Sequence, residues 1–97
     1  MERDAAIAKL REHEAELRRP GVRHLYLFGS TARGEARDDS DVDLFFDYEY
    51  GTLSLFGLMD VKERAAEILG RAADVMTRDS VHPRLRKRIE ASSVSVF

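Results

Sequence analysis

The chain has 97 residues, and 16 Lys and Arg residues nearly balance 18 Asp and Glu residues, which leaves a formal net charge of -2. This length fits one domain with a modest core, and the hydrophobic share of 43% argues against disorder. Such a charge balance excludes a global attraction to nucleic acid or to anionic membranes, so an anionic ligand needs a local site. We therefore expect no membrane partner and no direct nucleic-acid binding.

The absence of cysteine excludes a disulfide framework and a thiolate metal site. Residues 1–17 are charged throughout and lack the apolar stretch of a signal peptide. No apolar run approaches the roughly 20 residues that a membrane-spanning helix needs. We expect a cytoplasmic protein with a single domain over residues 1–97.

The first half of the chain predicts a helix followed by two strands. Apolar residues recur at near-helical spacing among the charges of residues 3–19, and Pro20-Gly21 ends that helix. Residues 22–28 (VRHLYLF) are β-branched, aromatic and apolar, which is typical of a buried strand.

Gly29-Ser30 interrupts this strand, and residues 30–33 predict a short helix. Residues 35–40 are polar and acidic, which indicates an exposed loop. A second strand, VDLFFD, follows at residues 42–47.

In the second half, Thr52 or Ser54 can cap a long amphipathic helix that ends at Gly70. Residues 73–77 (ADVMT) then predict a short third strand.

Pro83 suits the first position of a last helix, and the alternating residues 93–97 indicate a fourth, edge strand. Helices and strands thus alternate along the chain, and the helices can cover a small sheet. We expect an α/β (α+β) fold with a mixed sheet of three or four strands.

Residues 29–44 contain two neighbouring features that indicate a binding or catalytic site. Gly29, at a strand end, allows the backbone to approach a ligand, and Ser30 offers a hydroxyl and an N–H at a helix start, which favours phosphate. Asp41 and Asp43 lie two positions apart and project to one face of a strand. Such paired carboxylates repel each other unless a cation lies between them, and hard oxygen ligands suit Mg²⁺.

A phosphate site beside a metal site would hold a nucleoside triphosphate with its α-phosphorus exposed to an incoming hydroxyl. Metal ions at such a site neutralise charge on the attacking and leaving oxygens. The pattern therefore predicts nucleotidyl transfer, with pyrophosphate as the leaving group. Each half alone is a weak signal, because Gly-Ser turns and acidic pairs are common.

The string GSTARGEARDDSDVDL resembles the signature of the DNA polymerase β-like nucleotidyltransferases, and in particular their minimal nucleotidyltransferase (MNT) branch. The resemblance covers residues 22–97 and includes the segments LYLFGS, ILGRAADVMT and IEASSVSVF. It implies a nucleotidyltransferase-type fold over one minimal domain.

The resemblance also implies roles for individual residues. Gly29 and Ser30 would contact the triphosphate of ATP, and Asp41 and Asp43 would bind two Mg²⁺ ions. Asp74, on the third strand, would supply the third carboxylate, both as a metal ligand and as the base for the attacking hydroxyl.

Arg33 matches the Arg of the family's GSxARG core. It could contact phosphate or fix the loop by pairing with Asp39 or Asp41, and we favour the loop role. A basic cluster at residues 84–88, together with Arg78, could face an acidic partner or RNA, although a solvated helix face is the more frequent outcome.

Two tyrosines, Tyr48 and Tyr50, flank a loop after the second strand. These tyrosines could stack on a nucleobase or pack in the core or at its rim. The three histidines share no ligand spacing and are not candidates for a metal site.

The minimal branch resembles antitoxins whose partner is a HEPN ribonuclease toxin. This implies transfer of AMP from ATP to a tyrosine of that toxin, within a hetero-oligomer, with the acceptor supplied in trans. Two alternatives stay open: a non-catalytic module that neutralises the toxin by occlusion, and a free-standing adenylyltransferase of another protein or a small molecule.

Overall fold

Helices and strands alternate along the chain in the computed structural model, which describes residues 1–97. The order confirms the predicted α/β (α+β) class. None of the helices combines the length and the apolar character needed to cross a membrane. The elements are α1 (Arg3–Glu12), α2 (Glu14–Arg18), β1 (Val22–Phe28), α3 (Gly29–Ala32), β2 (Val42–Tyr48), α4 (Leu55–Leu69), β3 (Ala73–Thr77), a 3₁₀ turn (Arg78–Ser80), α5 (Pro83–Ser92) and β4 (Val94–Ser95).

The four strands form one mixed sheet in the order β3-β2-β1-β4. β1 runs antiparallel to both β2 and β4, while β2 and β3 are parallel. A parallel pair needs a crossover connection, which α4 supplies here. The tail strand lies at an edge, as the alternation of residues 93–97 predicted.

The helix predicted over residues 3–19 is divided into two. His13 departs from helical geometry (φ -111°, ψ 24°), and its Nδ1 lies 2.9 Å from the carbonyl oxygen of Lys9. Leu10 and Leu17, on either side of this break, are both fully buried. Neither Gly nor Pro marks the break, so helix propensity alone did not predict it.

The two faces of the sheet are covered unequally. The larger core cluster lies under α1, α2 and α4, and it includes Leu44 and Phe46. The opposite face carries a smaller cluster around Phe28 and Phe45, against which α5 packs. Because side chains alternate along a strand, Asp43 projects to the same face as Phe45.

The long helix α4 has a well-defined start and end. Ser54 Oγ accepts a hydrogen bond from the Gly57 N–H at 3.0 Å, so Ser54 is the cap of the two that were predicted. The Thr52 hydroxyl instead donates to the Glu49 carbonyl at 2.5 Å. Gly70 ends the helix in the left-handed conformation, with φ 68°.

Arg78 ties the end of β3 to the sheet and to α5. Its guanidinium donates two hydrogen bonds to Asp47 on β2, at 2.6 and 3.0 Å, and one to Glu90 on α5, at 2.5 Å. It also lies over the Tyr26 ring, 4.9 Å from the centroid. The hydrogen bond to Asp47 raises the pKa of Arg78. Arg78 therefore has a structural role distinct from the basic cluster at residues 84–88.

Candidate active site

The end of β1 meets the beginnings of β2 and β3 at one edge of the sheet. The strand register pairs Phe28 with Asp43, and it pairs Asp43 with Asp74. Residues paired across neighbouring strands project to the same face. Asp74 on β3 therefore lies beside Asp43. On its other side Asp43 is paired with Phe28 of β1, and Gly29 is the next residue along the chain.

The environment of Asp43 shows that three carboxylates act on one another here. Burial raises the pKa of Asp43, and the negative charges of Asp74 and Asp41 raise it further, while Arg33 lowers it. Asp43 is half-buried, whereas Asp41 and Asp74 are exposed. Ionised Asp43 is thus a charge that an additional cation would stabilise.

The donor set fits a hard divalent cation. The ion pairs of the chain involve other acidic residues, and none of them neutralises Asp41, Asp43 or Asp74. No group of three or more His, Asp or Glu side chains is arranged to hold a metal ion, so Asp41, Asp43 and Asp74 do not form a closed metal site. An open set of carboxylate oxygens suits Mg²⁺, which keeps waters and substrate phosphates among its ligands.

The backbone at Gly29 requires glycine for two reasons. Its φ is 73°, in the left-handed region that L-residues disfavour, and a Cβ built there would overlap the carboxylate of Asp43. Ser30, partly exposed, follows in α3, and its carbonyl accepts a hydrogen bond from the Glu35 N–H at 2.9 Å. Buried Thr31 and Ala32 anchor this short helix. The absence of a side chain at Gly29 leaves room for the carboxylate.

Arg33 does not pair with either predicted partner. Its Nε lies 3.0 Å from Glu35 Oε2, and both side chains are at least half exposed, so the expectation of a pair with Asp39 or Asp41 is wrong. Glu35 lies just two residues away across the turn at Gly34, which makes it the nearer partner. An exposed ion pair of this kind contributes about 0–1 kcal/mol and leaves the guanidinium free to exchange partners.

A groove that the sequence did not predict opens beside Gly29. Its volume is about 490 Å³, within the usual range for ligand sites. Gly29 and Arg33 line it together with residues of α5. The α5 residues that line the groove are Leu85, Arg88, Ile89 and Ser92. Their helical spacing is the sequence signal that could have indicated that α5 lines it.

The two tyrosines lie away from the carboxylates. Tyr48 is five positions along β2 from Asp43, about 16 Å at the rise of a strand. It packs edge-on against Phe46, and its hydroxyl donates to Asp79 at 3.1 Å. Tyr50 is 95% exposed in the following loop. The structure favours rim packing of Tyr48 over stacking on a nucleobase.

Known sequences that are similar to this chain are described as nucleotidyltransferases or protein adenylyltransferases. Residues 9–96 match the family described as nucleotidyltransferase domain. The chain is 39% identical to MJ0435 of Methanocaldococcus jannaschii, a candidate protein adenylyltransferase, over 79% of this chain and 82% of that protein. It is 38% identical to the protein adenylyltransferase MntA of Thermococcus cleftensis, over 82% of this chain and 81% of MntA.

Solved structures share the fold. A candidate minimal nucleotidyltransferase superposes with a TM-score of 0.83 at 31% identity, over 97% of this chain and 95% of that one. A complex of a tri-AMPylated HEPN toxin from Shewanella oneidensis with an MNT antitoxin gives a TM-score of 0.64 at 18% identity, over 94% of this chain and 71% of that one. The second likeness is one of fold.

Proposed function

The chain belongs to the nucleotidyltransferase domain family, and from this membership we propose that it is an Mg²⁺-dependent protein adenylyltransferase that acts as an antitoxin. It transfers AMP from ATP to a tyrosine of a HEPN ribonuclease toxin, with which it forms a hetero-oligomer in the cytoplasm. One observation carries the proposal: the register of three strands brings Asp74 beside Asp43, next to the Gly29 turn.

The comparisons support the choice of acceptor. MntA of Thermococcus cleftensis is named as a protein adenylyltransferase, which makes a protein the first acceptor to test. The Shewanella oneidensis complex pairs an MNT antitoxin with an AMPylated HEPN toxin, which suggests the class of partner.

Each site residue has a defined task in this reaction. Gly29 lets the backbone approach the triphosphate, and Ser30 donates hydrogen bonds to it from its N–H and hydroxyl. Asp41, Asp43 and Asp74 would hold two Mg²⁺ ions. When bound, Mg²⁺ neutralises charge that develops on the attacking and leaving oxygens.

The reaction forms one bond to phosphorus, breaks another and transfers one proton. The tyrosine phenol oxygen forms a bond to the α-phosphorus, and the bond from that phosphorus to the bridging oxygen of the β-phosphate breaks. Pyrophosphate leaves with the negative charge. The phenol proton passes to Asp74, whose carboxylate is exposed and accessible to an incoming hydroxyl.

The test is transfer of label from ATP labelled at the α-phosphate, with Mg²⁺ and a purified HEPN partner. The wild-type chain is compared with the double variant Asp41→Asn/Asp43→Asn. The matched control is Asp38→Asn/Asp39→Asn, which removes two exposed carboxylates from the same segment. We expect label on a toxin tyrosine with the wild type and the control, and none with the first variant.

Other outcomes would point to the alternatives. If the first double variant still binds the toxin and protects cells, neutralisation occurs by occlusion rather than by modification. Labelling of a cell extract that lacks any HEPN protein would indicate a free-standing adenylyltransferase. Chelation of Mg²⁺ should abolish labelling by the wild type and should leave binding of the toxin intact.

A further inference from the structure

One face of α5 lines the groove beside Gly29. Leu85, Arg88, Ile89 and Ser92 recur at helical spacing, so they share that face. Ile89 also packs against the smaller core cluster, which holds this part of α5 against the sheet. The position of Arg88 at the groove therefore follows from core packing.

The groove and the carboxylates beside it differ in charge. Arg33 and Arg88 line the groove, and no acidic residue does. Three of the lining residues are apolar, namely Phe28, Leu85 and Ile89, and a guanidinium near apolar surface attracts an anion more strongly than one in open water. The molecule thus places a basic groove directly beside a group of carboxylates.

Arg84 and Arg88 of α5 have no side-chain partner, and of these two only Arg88 lines the groove. Arg78 is held by Asp47, and Arg86 donates to the carbonyl oxygens of Asp79 and Val81 at 3.2 and 3.3 Å. The ion pairs of the chain involve Arg3, Arg18, Arg33, Arg64 and Arg78, and Arg88 is not among them. Its charge is available to a ligand.

We infer that Arg88 binds the β- and γ-phosphates of the nucleoside triphosphate. This inference rests on the proposed function, in which the α-phosphorus lies at the carboxylates. The rest of the triphosphate then extends past Gly29 into the groove, which Arg33 and Arg88 both line. The planar guanidinium can bind phosphate oxygens in pairs, which gives direction as well as charge.

The test measures nucleotide binding by the purified chain alone, with Mg²⁺ and without a toxin. ATP, inorganic triphosphate and AMP serve as probes, in competition with a fluorescent ATP analogue. The variant is Arg88→Gln. The control is Lys87→Gln, which removes a neighbouring exposed charge that does not line the groove.

We expect Arg88→Gln to weaken binding of ATP and of inorganic triphosphate by roughly tenfold or more, the effect of losing charge-assisted hydrogen bonds. Binding of AMP should stay within about twofold of wild type, because AMP lacks the phosphates concerned. Lys87→Gln should match wild type with all three probes. In the transfer assay, Arg88→Gln should raise KM for ATP with little change in kcat.

Two results would overturn the inference. Unchanged ATP binding by Arg88→Gln would show that Arg88 does not contact the nucleotide, and equal weakening for ATP and AMP would place the nucleoside or the α-phosphate in the groove. Thermal melting of each variant checks that the fold is intact. A wild-type chain that binds no ATP would contradict the proposed function itself, so the two failures are distinguishable.

Discussion

Replacing Gly29 with alanine should slow the enzyme about 100-fold, mainly through its contact with Asp43, and Gly34→Ala provides the matched control. Both glycines have φ 73°, so alanine meets the same backbone strain at either position. At Gly34 an added Cβ meets no atom within 4 Å. At Gly29 it overlaps the carboxylate of Asp43 and lies 3.1 Å from that residue's Cγ. The difference between the two variants therefore separates the effect of the methyl group at the site from that of backbone strain.

The magnitudes follow from the geometry. An L-residue in the left-handed region costs about 1–2 kcal/mol, and each kcal/mol lowers Tm by about 4–8 °C in a domain of this size. Both variants should show this loss. To restore ordinary van der Waals contact with the new Cβ, the Asp43 carboxylate must move by about 1 Å, and a shift of that size at a reacting centre lowers the rate about 100-fold.

The assay is AMP transfer at a temperature well below both melting points, with saturating ATP and Mg²⁺. Gly29→Ala should lose about two orders of magnitude in kcat, and Gly34→Ala should stay within about threefold of wild type. Wild-type activity of Gly29→Ala, or equal losses of activity in the two variants, would contradict this prediction. Equal losses would mean that strain in the loop, and not the position of Asp43, limits the reaction.

Three further substitutions test the electrostatics and the caps. Asp43→Asn should raise Tm without Mg²⁺ at neutral pH while abolishing transfer, because a raised folded pKa makes ionised Asp43 destabilising. That destabilisation is absent below the unfolded pKa of 3.8, grows as pH rises from there to the folded pKa and is complete above it, so melting curves of the two proteins should converge in acid. Arg78→Leu leaves Asp47 and Glu90 without their partner and should lower the free energy of unfolding by about 1–3 kcal/mol, measured in urea. Ser54→Ala should lower it by about 1 kcal/mol through loss of the α4 cap, and an unchanged urea midpoint would contradict this.

Local patterns in the sequence determined most of the elements. β1 and β3 have the predicted bounds, residues 22–28 and 73–77, because apolar and β-branched runs between Gly and polar breaks are a local signal. The start of α5 at Pro83 and the end of α4 at Gly70 follow from backbone chemistry that each residue carries by itself. The candidate site residues also came from the sequence, through the spacing of Gly29-Ser30 and the Asp pair and through a resemblance.

Only the tertiary structure decided how these parts meet. Asp74 lies beside Asp43 because the β2–β3 register was selected by burial on the opposite face under α4, and a slip of one residue would turn Asp74 away. The pairing of Arg33 with Glu35 and the place of Arg88 in a groove depend likewise on which elements pack together. Helix caps and strand bounds depend on chain neighbours, whereas a site shared by three strands and a helix depends on contacts between residues far apart in sequence.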